Sequence, residues 1–361
     1  MAIGGLIGYI LGGIKERTET ATQVTEVTKT VVGESPRPSP TLPVKIGSQA
    51  FFSGPVAVAS KPQSNGLRLA VKEINEQGGL LGREVELVER EEGRPDATLR
   101  EFKRLVIEEK IDYFIGLISS ANTPAVGPEA EELGVITIFV DGCTDKLWEE
   151  AVPNPHYVFR TNNTEHVGQV AAAAAATVNL YIDSGLVPKN PRIIGIHPDY
   201  AYGRNSHIIF SKAISKMVPD AEILEPIFTE FLKTSDFTPH ITSILQKEPD
   251  IVVTSLWGSD YINFYKQGLP QGLFNKTRIV ATASYIIPPH LIGLDHPAGH
   301  IMGVDGNYYF EYPPFNIWPL NQRFVEAYYK MWGEYPTYMA EGARNGAYWL
   351  KNRPGESWKN C

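Results

Sequence analysis

Cysteine is almost missing from this chain. Cys143 and Cys361 are the two in 361 residues, and their separation builds no disulfide framework. Phosphate loops are missing too. No G-x-G-x-x-G follows the first predicted strand and no G-x-x-x-x-G-K-[ST] occurs, so nothing supports a dinucleotide or Walker-type site. The run Gly78-Gly79-Leu80-Leu81-Gly82 follows a helix, which is the wrong context. No G-x-S-x-G elbow opens a helix. His296 and His300 are spaced i, i+4, but in a Pro/Gly segment with no acid between them, so no metal site is expected. Basic charge is short as well. Lys and Arg number 33 against 41 Asp and Glu, a net −8 with no basic stripe, which argues against nucleic acid as a partner. No cofactor is implied.

Long apolar runs are scarce. Residues 2–14 (AIGGLIGYILGGI) are uncharged, but shorter than the roughly 20 residues that span a bilayer. They also lack the basic start of a secretory signal. They read as the remnant or shortened start of a signal or membrane anchor, or as an N-terminal helix packed on the domain. Residues 18–43 are rich in Thr, Ser and Pro and hold few large apolar side chains, so they cannot build a core. An apolar run followed by such a stalk reads as residues 1–43 tethering an extracytoplasmic protein to a membrane.

What is present is an ordinary soluble composition, 43% hydrophobic and 20% charged, at a length that fits about two domains. From residue 44 the pattern alternates. A strand over 44–52 precedes a helix over 66–75, where Leu67, Ala70, Val71 and Ile74 share one face. A strand at 85–88 follows. Asp96 is placed to cap a helix whose buried stripe is Leu99, Phe102 and Val106. Then come a strand at 111–117, a helix at 123–133 and a strand at 135–140. A second series begins after Phe159-Arg160, with helices at 167–183, 204–217, 237–247 and 261–268. Its strands fall at 192–197, 221–228, 250–256 and 278–282. A strand over 301–309 and helices over 320–332 and 338–351 complete the pattern, and residues 352–361 are polar and aperiodic. The β-α-β series predicts parallel sheets covered by helices, in two tandem α/β lobes.

Ser119-Ser120 lies between a strand end and a helix start, where open α/β sheets bind ligands. Serine hydroxyls and helix N-terminal N–H groups suit a carboxylate. Ser120 could equally cap the helix that begins near Thr123. Cys143 is either near the ligand or a small buried hydrophobe. A nucleophilic Ser119 or Cys143 would need an activating base close in space.

Taken in order, several short motifs resemble the type I periplasmic binding fold, specifically the branched-chain amino-acid-binding family of ABC importers. They are Ser53-Gly54-Pro55, Ala70-Val71 to Ile74-Asn75, Gly78-Gly79-x-x-Gly82-Arg83 and Ile115-Gly116-x-x-Ser119-Ser120. Gly134-Val135, Phe159-Arg160-Thr161, Tyr202-Gly203, Asp236-Phe237-Thr238-Pro239 and Pro249-Asp250 follow. The resemblance covers residues 44–350. It implies two doubly wound parallel-sheet lobes joined by a hinge, one lobe from 44–161 with 306–361 and the other from 162–305. The family continues beyond the last helix, so the C-terminal part is expected to be truncated.

The resemblance also implies a function, binding one small amino acid or a related carboxylate or amide between two closing lobes. No catalysis follows from it. A membrane permease of the ABC type would read the closed form, and a monomer is the default. A ligand-sensing receptor ectodomain with the same fold is the alternative. Ser120 matches the family's carboxylate-binding serine, with Ser119 beside it. Tyr202 and Trp257 fall at aromatic positions of the second lobe. The loop after strand 135–140 supplies Asp141, Cys143 and Thr144. The family's ammonium-binding acid falls near Ala283, so an ammonium group would need another anion, Asp141, or the solute is not an α-amino acid. Without a ligand, Tyr202 reads as a half-buried loop aromatic, Trp257 as core and Asp141 as a solvated turn residue.

Overall fold

The structure is a computed structural model and describes residues 42–177, 180–231, 233–286, 291–292, 297–303 and 318–351. All of them belong to one compact unit, Pro40–Cys361. Among the described residues the first sheet runs β2-β1-β3-β4-β5 and every pairing in it is parallel. Its strands are β1 (Val44–Ala50), β2 (Val85–Glu91), β3 (Tyr113–Gly116), β4 (Ile136–Phe139) and β5 (Val158–Arg160). Parallel neighbours require crossovers, and α1 (Ala57–Glu76), α2 (Pro95–Ile107) and α3 (Thr123–Leu133) provide them. The chain then enters α4 (Glu165–Thr177) and the second sheet. That sheet runs β11-β10-β9-β6-β7, again parallel, with β8 also on β6. Its strands are β6 (Arg192–Pro198), β7 (Glu222–Ile223), β8 (Ile227–Thr229), β9 (Ile251–Thr254), β10 (Arg278–Ala281) and β11 (Ile301–Met302). Helices α5 (Ala201–Met217), α6 (Thr238–Gln246) and α7 (Gly258–Gly268) connect them.

Several expected bounds shift for identifiable reasons. Helix α1 starts at Ala57, well before residue 66, and contains Pro62. Its early turns are poor in helix formers. Burial of Ser60, Pro62, Gln63, Ser64 and Asn65 in the tertiary structure outweighs that propensity. The single strand expected at 221–228 is two short ones, β7 and β8. Pro226 lies between them and has no N–H to donate to a ladder. Asp96 does not cap α2. Arg94 holds the cap position, Pro95 opens the helix, and Asp96 lies in the first turn. There its charge suits the helix dipole. The buried face of α2 is Thr98, Phe102 and Leu105, with Leu99 and Val106 at its margin. The Ala-rich helix covers Glu165–Thr177, short of the expected 183. Most of the strand expected at 301–309, and the boundaries at 1–41, 306–317 and 352–361, lie outside the described residues.

The helix Tyr338–Lys351 lies back on the first sheet and on α1. Gly346 faces Ile115 and Ile138, and Arg344 pairs with Glu73 at 3.0 Å, the two side chains 9% and 17% exposed. The approach to α1 is set by Gly66. A Cβ there would stand 2.2 Å from the Ala340 carbonyl oxygen, inside van der Waals contact.

Two buried titratable groups sit at strand ends. His197, on β6, has Nδ1 2.9 Å from Ser255 Oγ and accepts the Ser255 N–H at 3.3 Å. An accepting Nδ1 requires the neutral ring. Burial, with His207 nearby, pushes His197 down from 6.5 to about 3. Glu92, just past β2, is pushed by burial up from 4.5 to about 7, against hydrogen bonds from Asn122, Ser119 and Ile118.

Two tests follow. Gly66→Ala is expected to lower the urea unfolding free energy by about 2 kcal/mol, because the clash is with backbone. Unchanged stability would show that the two helices separate freely. The second test concerns pH. A depressed histidine contributes stability that is lost as pH falls below 6.5, whereas a raised carboxylate gains stability as pH falls from about 7. The two oppose each other. Removing the imidazole by His197→Asn should therefore improve the variant relative to wild type by about 2 kcal/mol between about pH 7 and about pH 5. Parallel pH curves for the two proteins would refute the neutral buried imidazole.

Candidate functional site

The site forms where strands of both sheets end. In the first sheet the chain leaves β3 through Leu117, which is fully buried and holds φ at 65°. For a leucine that conformation costs about 1–3 kcal/mol and persists only where the surroundings impose it. Here they do. Ile118 N–H donates to Glu92 Oε2 at 3.0 Å, and Ser119 N–H donates to Glu92 Oε1 at 3.0 Å. Asn122 Nδ2 donates to the same Oε1 at 2.7 Å.

The loop after β4 runs beside this one. Asp141 N–H donates to the Leu117 carbonyl and Gly142 N–H to the Ile118 carbonyl, both at 3.1 Å. Thr123 Oγ1 donates to the Gly142 carbonyl at 3.1 Å. Gly142 has φ at 67°, and a Cβ there would stand 2.3 Å from Thr123 Cγ2. The result is one polar face. Ser120 Oγ and Cys143 Sγ are 3.7 Å apart, and Tyr338 Oη donates to Asp141 Oδ2 at 2.9 Å.

The opposing face is aromatic. Tyr200 and Tyr202 stand at the start of α5, just past β6, and Trp257 holds the cap position of α7, past β9. Trp257 Nε1 donates to Tyr200 Oη at 3.0 Å. Tyr200 stacks on Phe231 with ring centroids 4.4 Å apart, and Phe231 lies 5.2 Å from Trp257. Burial raises the Tyr200 phenol well above its ordinary 10, so it stays a neutral donor.

Between the faces lies a cavity. Ile118, Ser120, Asp141 and Cys143 line one side, and Tyr200, Tyr202, Trp257, Ala283 and Ile286 line the other. Its volume is about 20 Å³, the room of one water. Pockets for small organic ligands run to about 300 Å³ or more, so entry of a solute requires these faces to part.

Five residues singled out in the sequence therefore meet at one cavity: Ser120, Asp141, Cys143, Tyr202 and Trp257. Asp141 is 3% exposed and Tyr202 3% exposed, so neither is the solvated turn residue or half-buried loop aromatic that their positions allowed. Ser120 does not cap α3, whose cap position is Asn122 and carries no side-chain cap bond. Ser119 and Thr144 are adjacent but do not line the cavity. Ser119 Oγ accepts the Ala121 N–H at 3.3 Å. Thr144 Oγ1 donates to Glu165 Oε1 at 3.0 Å, and Asn205 Nδ2 donates to that same oxygen at 2.8 Å. Burial pushes the Glu165 carboxyl up.

Tyr200 was missed in the sequence. It stands two residues before Tyr202, at the cap position of α5, and that closeness in sequence was the available signal. Tyr338 and Glu92 had no local signal. Ala283 does lie at the cavity, and brings no charge to it. His300 Nδ1 accepts the Ile279 N–H at 3.0 Å, while His296 lies outside the described residues. Among the described residues, no group of three or more His, Cys, Asp or Glu could hold a metal ion. Among them too, no helix is long and apolar enough to cross a membrane.

The profile of the family described as periplasmic binding protein matches residues 43–352. The Leu/Ile/Val-binding protein homolog 7 of Brucella suis is 24% identical over 298 residues, 81% of this chain and 72% of that protein. A solute-binding protein of an ABC transporter from Rhodopseudomonas palustris HaA2, solved with p-hydroxybenzoic acid, superposes with a TM-score of 0.71 at 24% identity. That match covers 85% of this chain and 79% of the other. LivJ from Streptococcus pneumoniae, solved with isoleucine, gives 0.67 at 18% identity over 85% and 82% of the two chains. Members of this family bind small solutes outside the cytoplasm, work with ABC-transporter permeases and catalyse no reaction. With two parallel-sheet lobes, a cavity between them and a profile match along most of its length, the chain belongs to the periplasmic binding protein family and is similar there to Leu/Ile/Val-binding protein homologues.

Proposed function

We propose that this protein captures a small carboxylate that also carries an apolar body and a hydrogen-bond donor. The observation that carries this reading is the division of the cavity into a hydroxyl-and-carboxylate face and an aromatic face. The carboxylate of the solute is assigned to Ser120, with Ser119 in the same loop. The apolar body lies against Tyr200, Tyr202 and Trp257. The donor, an ammonium or a hydroxyl, meets Asp141, since Ala283 offers no anion. Cys143 completes the first-lobe wall, with Thr144 next to it in the chain. An aromatic hydroxy acid and an amino acid share this chemistry, and these are the solute classes bound by the Rhodopseudomonas and Streptococcus proteins.

Closure follows from the same division. The polar face stands ready on the first sheet, and contacts to the rings become available to the solute only when the lobes meet around it. The ligand therefore drives closure through the extra contacts of the closed state. We read residues 44–161 with 306–361 as one lobe and 162–305 as the other. The packing of helix Tyr338–Lys351 on the first sheet supports that division. Both faces come from one chain, which supports a monomer. The net charge of −8 and the absence of a basic stripe in the sequence support a role without nucleic acid. The apolar residues 2–14 and the stalk that follows support tethering through the N-terminus.

Calorimetry with 4-hydroxybenzoate, benzoate, isoleucine and leucine tests the assignment. A micromolar complex, about 8 kcal/mol, is expected with at least one probe that carries a donor. Of the two benzoates, 4-hydroxybenzoate should bind about tenfold more tightly, and Asp141→Asn should erase that preference. No heat with any probe, or benzoate binding as well as its hydroxy analogue, would sink the reading. Separately, Ser120→Ala should weaken every bound probe by about tenfold, the cost of one hydrogen bond to a charged group. An unchanged Kd would remove Ser120 from the site.

A further inference from the structure

The carboxylate of Glu92 lies beneath the polar face without lining the cavity. Its residue is 1% exposed. Glu92 N–H donates to the Ala50 carbonyl at 2.8 Å, which fixes its backbone to the end of β1. Its two oxygens accept three donors, all from residues 118–122: the Ile118 and Ser119 N–H groups and Asn122 Nδ2. Asn122 Nδ2 also donates to the Gly93 carbonyl at 2.9 Å, so the clamp closes on itself. An ionised carboxylate offers about four acceptor sites and no donor, which suits three inward-pointing N–H groups. The clamp bears on the segment where Leu117 is held at φ 65°. From there the bonds continue, because the Leu117 and Ile118 carbonyls accept the N–H groups of Asp141 and Gly142.

We propose that Glu92 is the positioning residue of the solute site: its carboxylate imposes the left-handed turn at Leu117, aims Ser120 at the cavity, and through the Leu117 and Ile118 carbonyls sets the loop that carries Asp141 and Cys143. It touches no solute and acts through Ser120 and Asp141, so the proposal rests on the assignment of those residues to the site. Desolvation is what the clamp works against, and the three donors counter it. A glutamine in this place keeps the shape. It turns one acceptor into a donor facing other donors, so at least one N–H loses its partner.

The test has two arms, both on the full chain. In the first, amide NMR of Glu92→Gln without ligand is expected to move the Ile118 and Ser119 resonances and also those of Asp141 and Gly142. Resonances of Asp141 and Gly142 left in place would overturn the transmitted part of the proposal. In the second, 4-hydroxybenzoate and isoleucine serve as probes for Glu92→Gln, Ser120→Ala and the double variant. Glu92→Gln should weaken binding at least about tenfold, and the double variant should bind no more weakly than the poorer single one, since coupled residues do not add. Multiplied losses, or wild-type affinity in Glu92→Gln beside a weakened Ser120→Ala, would overturn the proposal and leave the site reading intact. Unchanged affinity in Ser120→Ala would remove both. Glu86→Gln, on the exposed face of β2, is the control and should bind as wild type. If Glu92→Gln does not fold, Asn122→Ala removes one of the three bonds and must give the same pattern of amide shifts in smaller measure.

Discussion

The bonds between the main chain at 117–118 and the main chain at 141–142 are the constraint from which the rest of the site follows. Two loops leave the ends of adjacent parallel strands, β3 and β4, and neither has a ladder partner beyond the sheet. They pair with each other instead, through Asp141 to Leu117 and Gly142 to Ile118. Side chains that the chain separates by some twenty residues, such as Ser120 and Cys143, then stand within 3.7 Å. Buried N–H and C=O groups left unpaired at this depth would cost more than the strained leucine does.

The two sides of the cavity are built on different physics. The first-lobe side is a hydrogen-bonded frame whose backbone groups and acids hold one another, including Asp141 through Tyr338. The second-lobe side is a stack of rings, with Tyr200 between Phe231 and the indole N–H of Trp257. A directional frame sets where a charged group binds. Rings supply apolar area with few rotors to freeze. Glu165 adds a link between them. It accepts from Thr144 beside the first-lobe loop and from Asn205 on α5, and its backbone N–H donates to the Cys143 carbonyl. Thr144 thus serves the contact between the sides of the cleft and does not line the cavity.

Much of the fold was legible without coordinates. Helix α3 and the helix Tyr338–Lys351 fall on the expected residues, because each carries its own periodicity and a stop or start signal. Gly134, for α3, takes the left-handed cap. Strand β3 falls inside its expected range, since an apolar run of that length in an α/β series is a buried parallel strand. Tertiary burial and a proline account for the elements that local pattern misplaces. The first turns of α1 look like a loop in sequence and become helix by packing, and Pro226 divides a strand that hydrophobicity alone joins.

By itself, the sequence determined the order of strands and helices, hence parallel sheets, hence ligand groups at the ends of strands. These follow from local periodicity and from the chirality of crossovers, which need no knowledge of distant partners. Tertiary structure alone decided which side chains converge. Glu92 sits in the charged run Glu89-Arg90-Glu91-Glu92, yet it is a buried acid. Tyr338 reaches Asp141 across 197 residues of chain. A carboxylate looks the same in sequence whether water or three N–H groups surround it, and only the folded backbone brings those donors to it.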